Sequence, residues 1–299
     1  MRNFDPRVIK VTIYAITLVC LLAVGVYHRL SEPSIPPSSI SSDLVEANPL
    51  LPTSETYLES LTWMDVRDKI RDGYTRIIIP TGGIEQNGPF VALNKHDVIV
   101  KHLSAEVARA LPRTLVAPVV SFVPEGAISP PSGHMQYPGT ISVSERTFVT
   151  LLEEIGASLG MHGFREIIIL GDSGQSQAGM REAAERLLRR PPAPGVRAIF
   201  VPEFYDYEDV RRYLRERGIN EKPEQFHEEL SFSLQLLAIA PKTINYDKRI
   251  AAGHTELGGL SLLDREALTQ LGKDIIARRV AATVAAINRQ LAGTPLPAH

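Results

Sequence analysis

Short apolar runs alternate with amphipathic stretches along most of the chain. The runs are "TRIIIP" around Ile77–Ile79, "TLVAPVVSF" from Thr114, "REIIIL" ending at Leu170 and "VRAIFV" ending at Val201. Continuous Ile/Val runs of this length suit strands buried on both faces. Between them lie helical patterns. In "TWMDVRDKIRDG", Val66 and Ile70 stand four apart, Thr62 is placed to cap the start and Gly73 to end it. In "DVIVKHLSAEVARAL", Val100, Leu103, Val107 and Leu111 share one stripe. "SERTFVTLLEEIGASLGMHG" opens on Ser144 and closes at Gly163, and "SQAGMREAAERLLRR" follows the third apolar run. The alternation predicts an α/β fold of three layers, αβα, with a mostly parallel sheet covered on both faces.

The first 56 residues break this pattern. Val11–Tyr27 carries no charged residue and follows Arg2, Arg7 and Lys10. At about 1.5 Å per residue it spans roughly 26 Å, close to a membrane's apolar thickness. Residues 1–29 are therefore expected to be a membrane anchor, or a signal segment cleaved near Ala23-Val24-Gly25. The basic flank would stay cytoplasmic and place the rest on the extracytoplasmic side. Residues 30–56, rich in Ser and Pro, have the composition of an extended linker. The folded domain is expected over 57–293.

Composition narrows the chemistry. The 299 residues are 44% hydrophobic and 22% charged, and the net charge of -2 leaves no basic footprint for nucleic acid. A single cysteine, Cys20, excludes an intramolecular disulfide and a thiolate cluster, so metal ligands must be carboxylate, imidazole or amide. In parallel sheets ligands bind beyond the carboxyl ends of the strands. Here those ends lead into "TGGIEQNG", "PEGAISPPSGHMQYPG" and "GDSGQSQ", which hold Glu85, Asn87, His134 and Asp172.

Four ordered segments carry a family resemblance. "GGIEQNGPFVAL" resembles the Glu-Gln-His-Gly-Pro-His motif of the creatininase (creatinine amidohydrolase) family, and "GHMQYPGTISV" its His-x-x-Phe-Pro-Gly-Thr-Ile-Ser segment. "HGFREIIILGDSGQSQ" resembles its His-Gly-Phe … Asn-Gly-His-Gly-Gly-Asn segment, and "FHEELSFSLQLLAIAP" the late segment that carries a His. The resemblance spans roughly residues 57–290. It implies an α/β fold, frequent oligomerisation, and hydrolysis of cyclic or linear amides with divalent ions, commonly zinc or manganese.

Residue by residue, Glu85 matches a metal-binding Glu, while Asn87 stands at a metal-binding His and Phe90 replaces the second His. His96 falls on the bridging Asp, with Asp97 one step later. Asp172 falls on a metal-binding His, and Gly174 on an acidic ligand. The resemblance thus implies one divalent ion per chain, held by Glu85, His96 and Asp172, with Asn87 a weak ligand or a neighbour of the ligands. His227 matches the family's late His and is expected to move a proton to the leaving nitrogen, with Glu228 or Glu229 orienting it. His134, Phe90, Tyr205 and Glu229 are candidates for substrate contact. Phe232-Ser233 replaces the family's Glu-Thr pair. The expected function is metal-dependent hydrolysis of a C–N bond in a small, possibly cyclic amide; the competing expectation is an inactive binding or structural oligomeric module at the membrane.

Overall fold

The computed structural model describes residues 46–222 and 227–293. The expected anchor at 1–29 lies outside them, and no helix among the described residues is long and apolar enough to cross a membrane. In chain order the elements are α1 (Trp63–Arg71), β1 (Arg76–Thr81), α2 (Lys95–Ala110), β2 (Thr114–Val116), α3 (Glu145–Met161), β3 (Glu166–Gly171), α4 (Gln177–Arg189) and β4 (Arg197–Phe200). There follow α5 (Tyr207–Arg215), α6 (Leu230–Ile239), α7 (Tyr246–Ala251), a small hairpin of β5 (Glu256–Leu257) and β6 (Leu260–Ser261), and the long α8 (Arg265–Gly293).

The four-stranded sheet has the order β2-β1-β3-β4 and every pairing in it is parallel. Side chains of successive strand residues point to opposite faces, so each Ile run feeds two cores. Ile77, Ile79, Ile167 and Ile169 join Phe148, Leu152, Met180 and Leu187 from α3 and α4. Ile78, Ile168 and Ile199 join Val100 and Leu103 of α2, Leu234 of α6 and Ile275 of α8. This is the expected three-layer αβα arrangement.

Local chemistry sets several boundaries. Thr62 and Asp65 form a reciprocal capping box at α1, and the Ser144 hydroxyl accepts from the Thr147 N–H at α3. The second apolar run, by contrast, forms a strand only as far as Val116. Pro118 has no N–H to extend the ladder, and pairing resumes as an isolated bridge between Thr81 and Val120. The helix expected to begin at Asp97 begins instead at Lys95. Lys95 and His96 consequently lie in its first turn, and that shift decides what they touch.

Candidate metal centre

The chain leaves β1 toward β2 on one side and reaches β3 on the other, which makes the carboxyl ends of β1 and β3 a topological switch point. Glu85 lies in the loop after β1, and Asp172 directly follows β3 with its N–H donating to the Thr81 carbonyl at 3.1 Å. Two glycines let the β1 loop approach its surroundings. A side chain at Gly82 would collide with Asp97, whose Oδ1 accepts the Gly83 N–H at 2.9 Å. One at Gly83 would collide with the Glu125 carboxylate.

The structure brings Glu85, His96 and Asp172 into direct contact. His96 Nε2 lies 2.7 Å from Glu85 Oε1, and His96 Nδ1 lies 2.9 Å from Asp172 Oδ2. Both ring nitrogens are therefore engaged by carboxylates. Burial and the nearby Lys95 oppose charge on this imidazole, but the two carboxylates prevail and raise its pKa to about 9. It is an imidazolium clamped between two anions at neutral pH.

Asp172 is held from its other side. Arg279 of α8 donates Nη2 to Asp172 Oδ1 at 2.7 Å, and the Tyr207 hydroxyl donates to the same oxygen at 2.9 Å. The guanidinium also reaches the Phe204 carbonyl and Gln235 Oε1, each at 2.7 Å. Burial works against ionisation of Asp172, while Arg279 and His96 outweigh it and hold the carboxyl below its usual range. Lys95, fully buried, places Nζ 3.6 Å from Glu85 Oε1 and 4.4 Å from the Phe232 ring centroid. Burial pushes its pKa down, and Glu85 supports the charged form.

Glu85 is where this buried array meets a second set of imidazoles. His227 Nε2 lies 3.0 Å from Glu85 Oε1, and His134 Nε2 lies 3.3 Å from Oε2. Burial opposes the charge of Glu85, but bonds from His227 and His96 overcome it and hold the pKa far below the normal carboxylate range. His134 rides on the 3-10 turn Gly133–Gln136, in a loop tied to the β1 loop by the Ile141 N–H to the Ile84 carbonyl at 2.9 Å. His227 adopts a left-handed backbone conformation, φ 61°, and Lys95 Nζ lies 3.4 Å from its carbonyl. A non-glycine residue in that region is strained, a feature that concentrates at functional sites.

Glu85, His134 and His227 form a candidate metal site: one donor atom from each lies within 4.8 Å of the others. The donor chemistry fits. One carboxylate and two neutral imidazoles are a common ligand set for zinc and other divalent transition ions, and three protein ligands leave positions open. Glu229 Oε1, 3.8 Å from His227 Nδ1, faces the ring nitrogen remote from Glu85.

The remaining expected residues divide. Asn87 is fully buried and donates Nδ2 to the carbonyls of Glu85 and Ala92, so it braces the loop; its Oδ1 has no hydrogen-bond partner. Tyr205 stacks edge-on against Tyr207, with its hydroxyl beside Gly174. Burial raises its pKa and keeps the phenol protonated. The ring contacts of Phe90 are with His254 and Arg249, at α7 and the loop beyond it. Lys95, Glu125 and Arg279 were not expected from sequence. Only Lys95 had a signal, its position beside His96.

The family model described as creatinine amidohydrolase matches residues 59–286. A 3-dehydro-scyllo-inosose hydrolase of Thermotoga maritima is 27% identical over 119 residues, 40% of this chain and 36% of that protein. A creatinine amidohydrolase of Pseudomonas putida is 20% identical over 157 residues, 52% of this chain and 60% of that protein. The matches thus span less than two thirds of either relative's own length. Among solved structures, a creatinine amidohydrolase superposes with a TM-score of 0.61 at 18% identity, covering 81% of this chain and 100% of that one, a likeness of fold. Two further solved creatininases of similar likeness are described as Zn-Zn type and as Mn.

Proposed function

Because the chain belongs to the creatinine amidohydrolase family, we propose that it is a metal-dependent hydrolase opening a C–N bond in a small, possibly cyclic amide. The observation that carries this reading is the convergence of Glu85, His134 and His227 from three separate segments onto one point. A divalent ion held there would polarise a carbonyl and supply a water nucleophile near neutral pH. Zinc and manganese are the ions to test, since both appear in the descriptions of related structures.

The chain's own groups then have distinct tasks. His96 and Lys95 keep Glu85 ionised and fixed, and Arg279 does the same for Asp172. Glu229 Oε1, 3.8 Å from His227 Nδ1, stands ready to accept from that nitrogen once Nε2 turns from Glu85 to the ion. His227 is thereby a ligand, and its expected proton transfer falls to another group. Tyr205, protonated and beside Gly174, is the hydroxyl donor for substrate. His96, Asp172 and Asn87 serve as a supporting scaffold for the ligands, with Glu85 common to both sets.

The test combines metal content with turnover. Purified protein loaded with zinc or manganese should retain about one ion per chain and hydrolyse some member of a panel of lactams, cyclic ureides and linear amides, with 3-dehydro-scyllo-inosose as a further probe. Glu85→Ala should lose both. Retention of metal and hydrolysis by that variant would remove the basis of the proposal.

A second reading has an observation of its own. Lys95, His96 and Arg279 already neutralise Glu85 and Asp172 without an ion, which also suits an inactive binding module. That module would bind no stoichiometric transition metal, so the same metal determination separates the two. In either reading the domain is proposed to be tethered to a membrane by residues 1–29, or exported after their removal; fractionation and protease accessibility of intact cells test this. Size-exclusion chromatography with light scattering tests the proposed homo-oligomer.

A further inference from the structure

Glu125 is 1% exposed, and neither of its carboxylate oxygens has a hydrogen-bond partner among the described residues. Buried carboxylates left without partners are costly, and this one lies against a second carboxylate, that of Glu85. The placement is built. The Glu125 N–H donates to Ser142 Oγ at 2.9 Å, and that hydroxyl donates on to the Gly126 carbonyl at 2.8 Å. The space occupied by Oε1 exists because Gly83 has no side chain: a Cβ there would stand 2.3 Å from that oxygen.

The loop that carries Glu125 also carries His134. It is closed on itself by Ala127 N–H to Ser132 Oγ at 2.9 Å and Ser132 N–H to the Ala127 carbonyl at 3.1 Å. One segment thus presents a carboxylate and an imidazole to Glu85 together. The β1 loop has Asn87 where the resemblance expects a ligating imidazole, and the β3 loop has Gly174 where it expects an acid. The 125–134 loop supplies one donor of each kind.

We propose that Glu125 is a further ligand of the ion held by Glu85, His134 and His227, making a set of two carboxylates and two imidazoles. The proposal rests on the metal-dependent reading above. Glu125 stands outside the tightest group of three donors and reaches it beside Glu85, with Ser173 as its other polar neighbour. A cation between two adjacent buried carboxylates also removes their repulsion, the physical reason for retaining both.

The experiment measures metal binding by the full chain without reference to turnover. Wild type, Glu125→Gln and Glu85→Ala are stripped with chelator, and zinc and manganese affinities are measured by competition with a chromogenic chelator. Circular dichroism and thermal melts confirm folding. Glu125→Gln should weaken affinity about 10- to 100-fold, the scale on which metal sites respond to lost partners, and zinc absorption spectroscopy should show one fewer oxygen neighbour. Glu125→Asp, which keeps the charge on a shorter arm, should fall between the two and serves as the test if the Gln variant does not fold. Wild-type affinity in Glu125→Gln, with Glu85→Ala still unable to bind, overturns the role of Glu125 and leaves the metal-dependent reading standing. Absence of binding by wild type overturns both.

Discussion

His96 Nε2 and Glu85 Oε1 are 2.7 Å apart, and the bond joins a histidine in the first turn of a helix to a carboxylate in a loop eleven residues earlier. Through Nδ1 the same ring reaches Asp172, so one imidazolium ties the end of β1 to the end of β3. Removing one member of a buried ionic set leaves the others uncompensated, at a cost of about 3–5 kcal/mol. His96→Ala should destabilise the metal-free protein on that scale, measured by urea unfolding. His96→Ala with unchanged stability would show that the two carboxylates are neutralised some other way.

The same pair gives a pH dependence with a definite sign. The folded-state pKa of His96, about 9, exceeds its ordinary value, which is about 6.5. Its stabilisation is complete below the ordinary value and is lost as pH rises through the folded one. Glu125 acts in the same direction over a lower window, because its folded pKa of about 8 also lies above the usual carboxylate value. Metal-free protein should lose stability steadily from slightly acidic pH to pH 9, and His96→Ala should flatten the upper part of that slope. Urea midpoints taken at intervals across the range check it.

Arg279 is the sole guanidinium donating to Asp172 among the described residues, and it spreads its bonds over Asp172, Tyr207, Gln235 and the Phe204 carbonyl. Arg279→Met strands a buried carboxylate and should cost about 3–5 kcal/mol. Arg279→Lys should recover little of this, since an ammonium cannot match a planar fork to four acceptors. Thermal melts of the two variants, compared with wild type, measure the difference.

Gly82 tests how closely the β1 loop rests on α2. A Cβ there would stand 1.9 Å from Asp97 Oδ1 and 2.8 Å from Asp97 Cα, so helix backbone as well as side chain must move. Overpacking of this kind typically costs about 1–3 kcal/mol. Gly82→Ala should fall in that range and should also weaken metal binding, because it displaces the loop that carries Glu85. Chelator competition alongside urea unfolding reads both effects.

The strands were legible because Ile/Val runs buried on both faces look alike in sequence and in space, and the Thr62 and Ser144 caps were legible because capping is local. Glu85 and Asp172 were legible because strand ends converge in a parallel sheet, and His96 joined them only through the family resemblance. Their partners were not. Arg279 sits 107 positions from Asp172 on a helix whose pattern suggests only a covering layer, and Glu125 occupies a Pro/Gly-rich loop where a carboxylate is ordinarily solvated. The contact of His96 with two carboxylates depended on α2 starting two residues earlier than its apolar stripe indicates. Pro118 shortened β2 in a way that the run of Val residues concealed.

Arg279 belongs to the last helix, so ribosomal synthesis delivers Asp172 more than a hundred residues before its guanidinium partner. Until α8 emerges, Asp172 has His96 and Tyr207 but no guanidinium, and the sheet face shared by α2, α6 and α8 is incompletely covered. A chain halted before residue 279 would hold every candidate ligand yet lack the group that anchors the array beneath them. Completion of translation is thus built into the assembly of the centre, and a C-terminal truncation should register as a defect at Glu85 although it removes nothing that touches that residue.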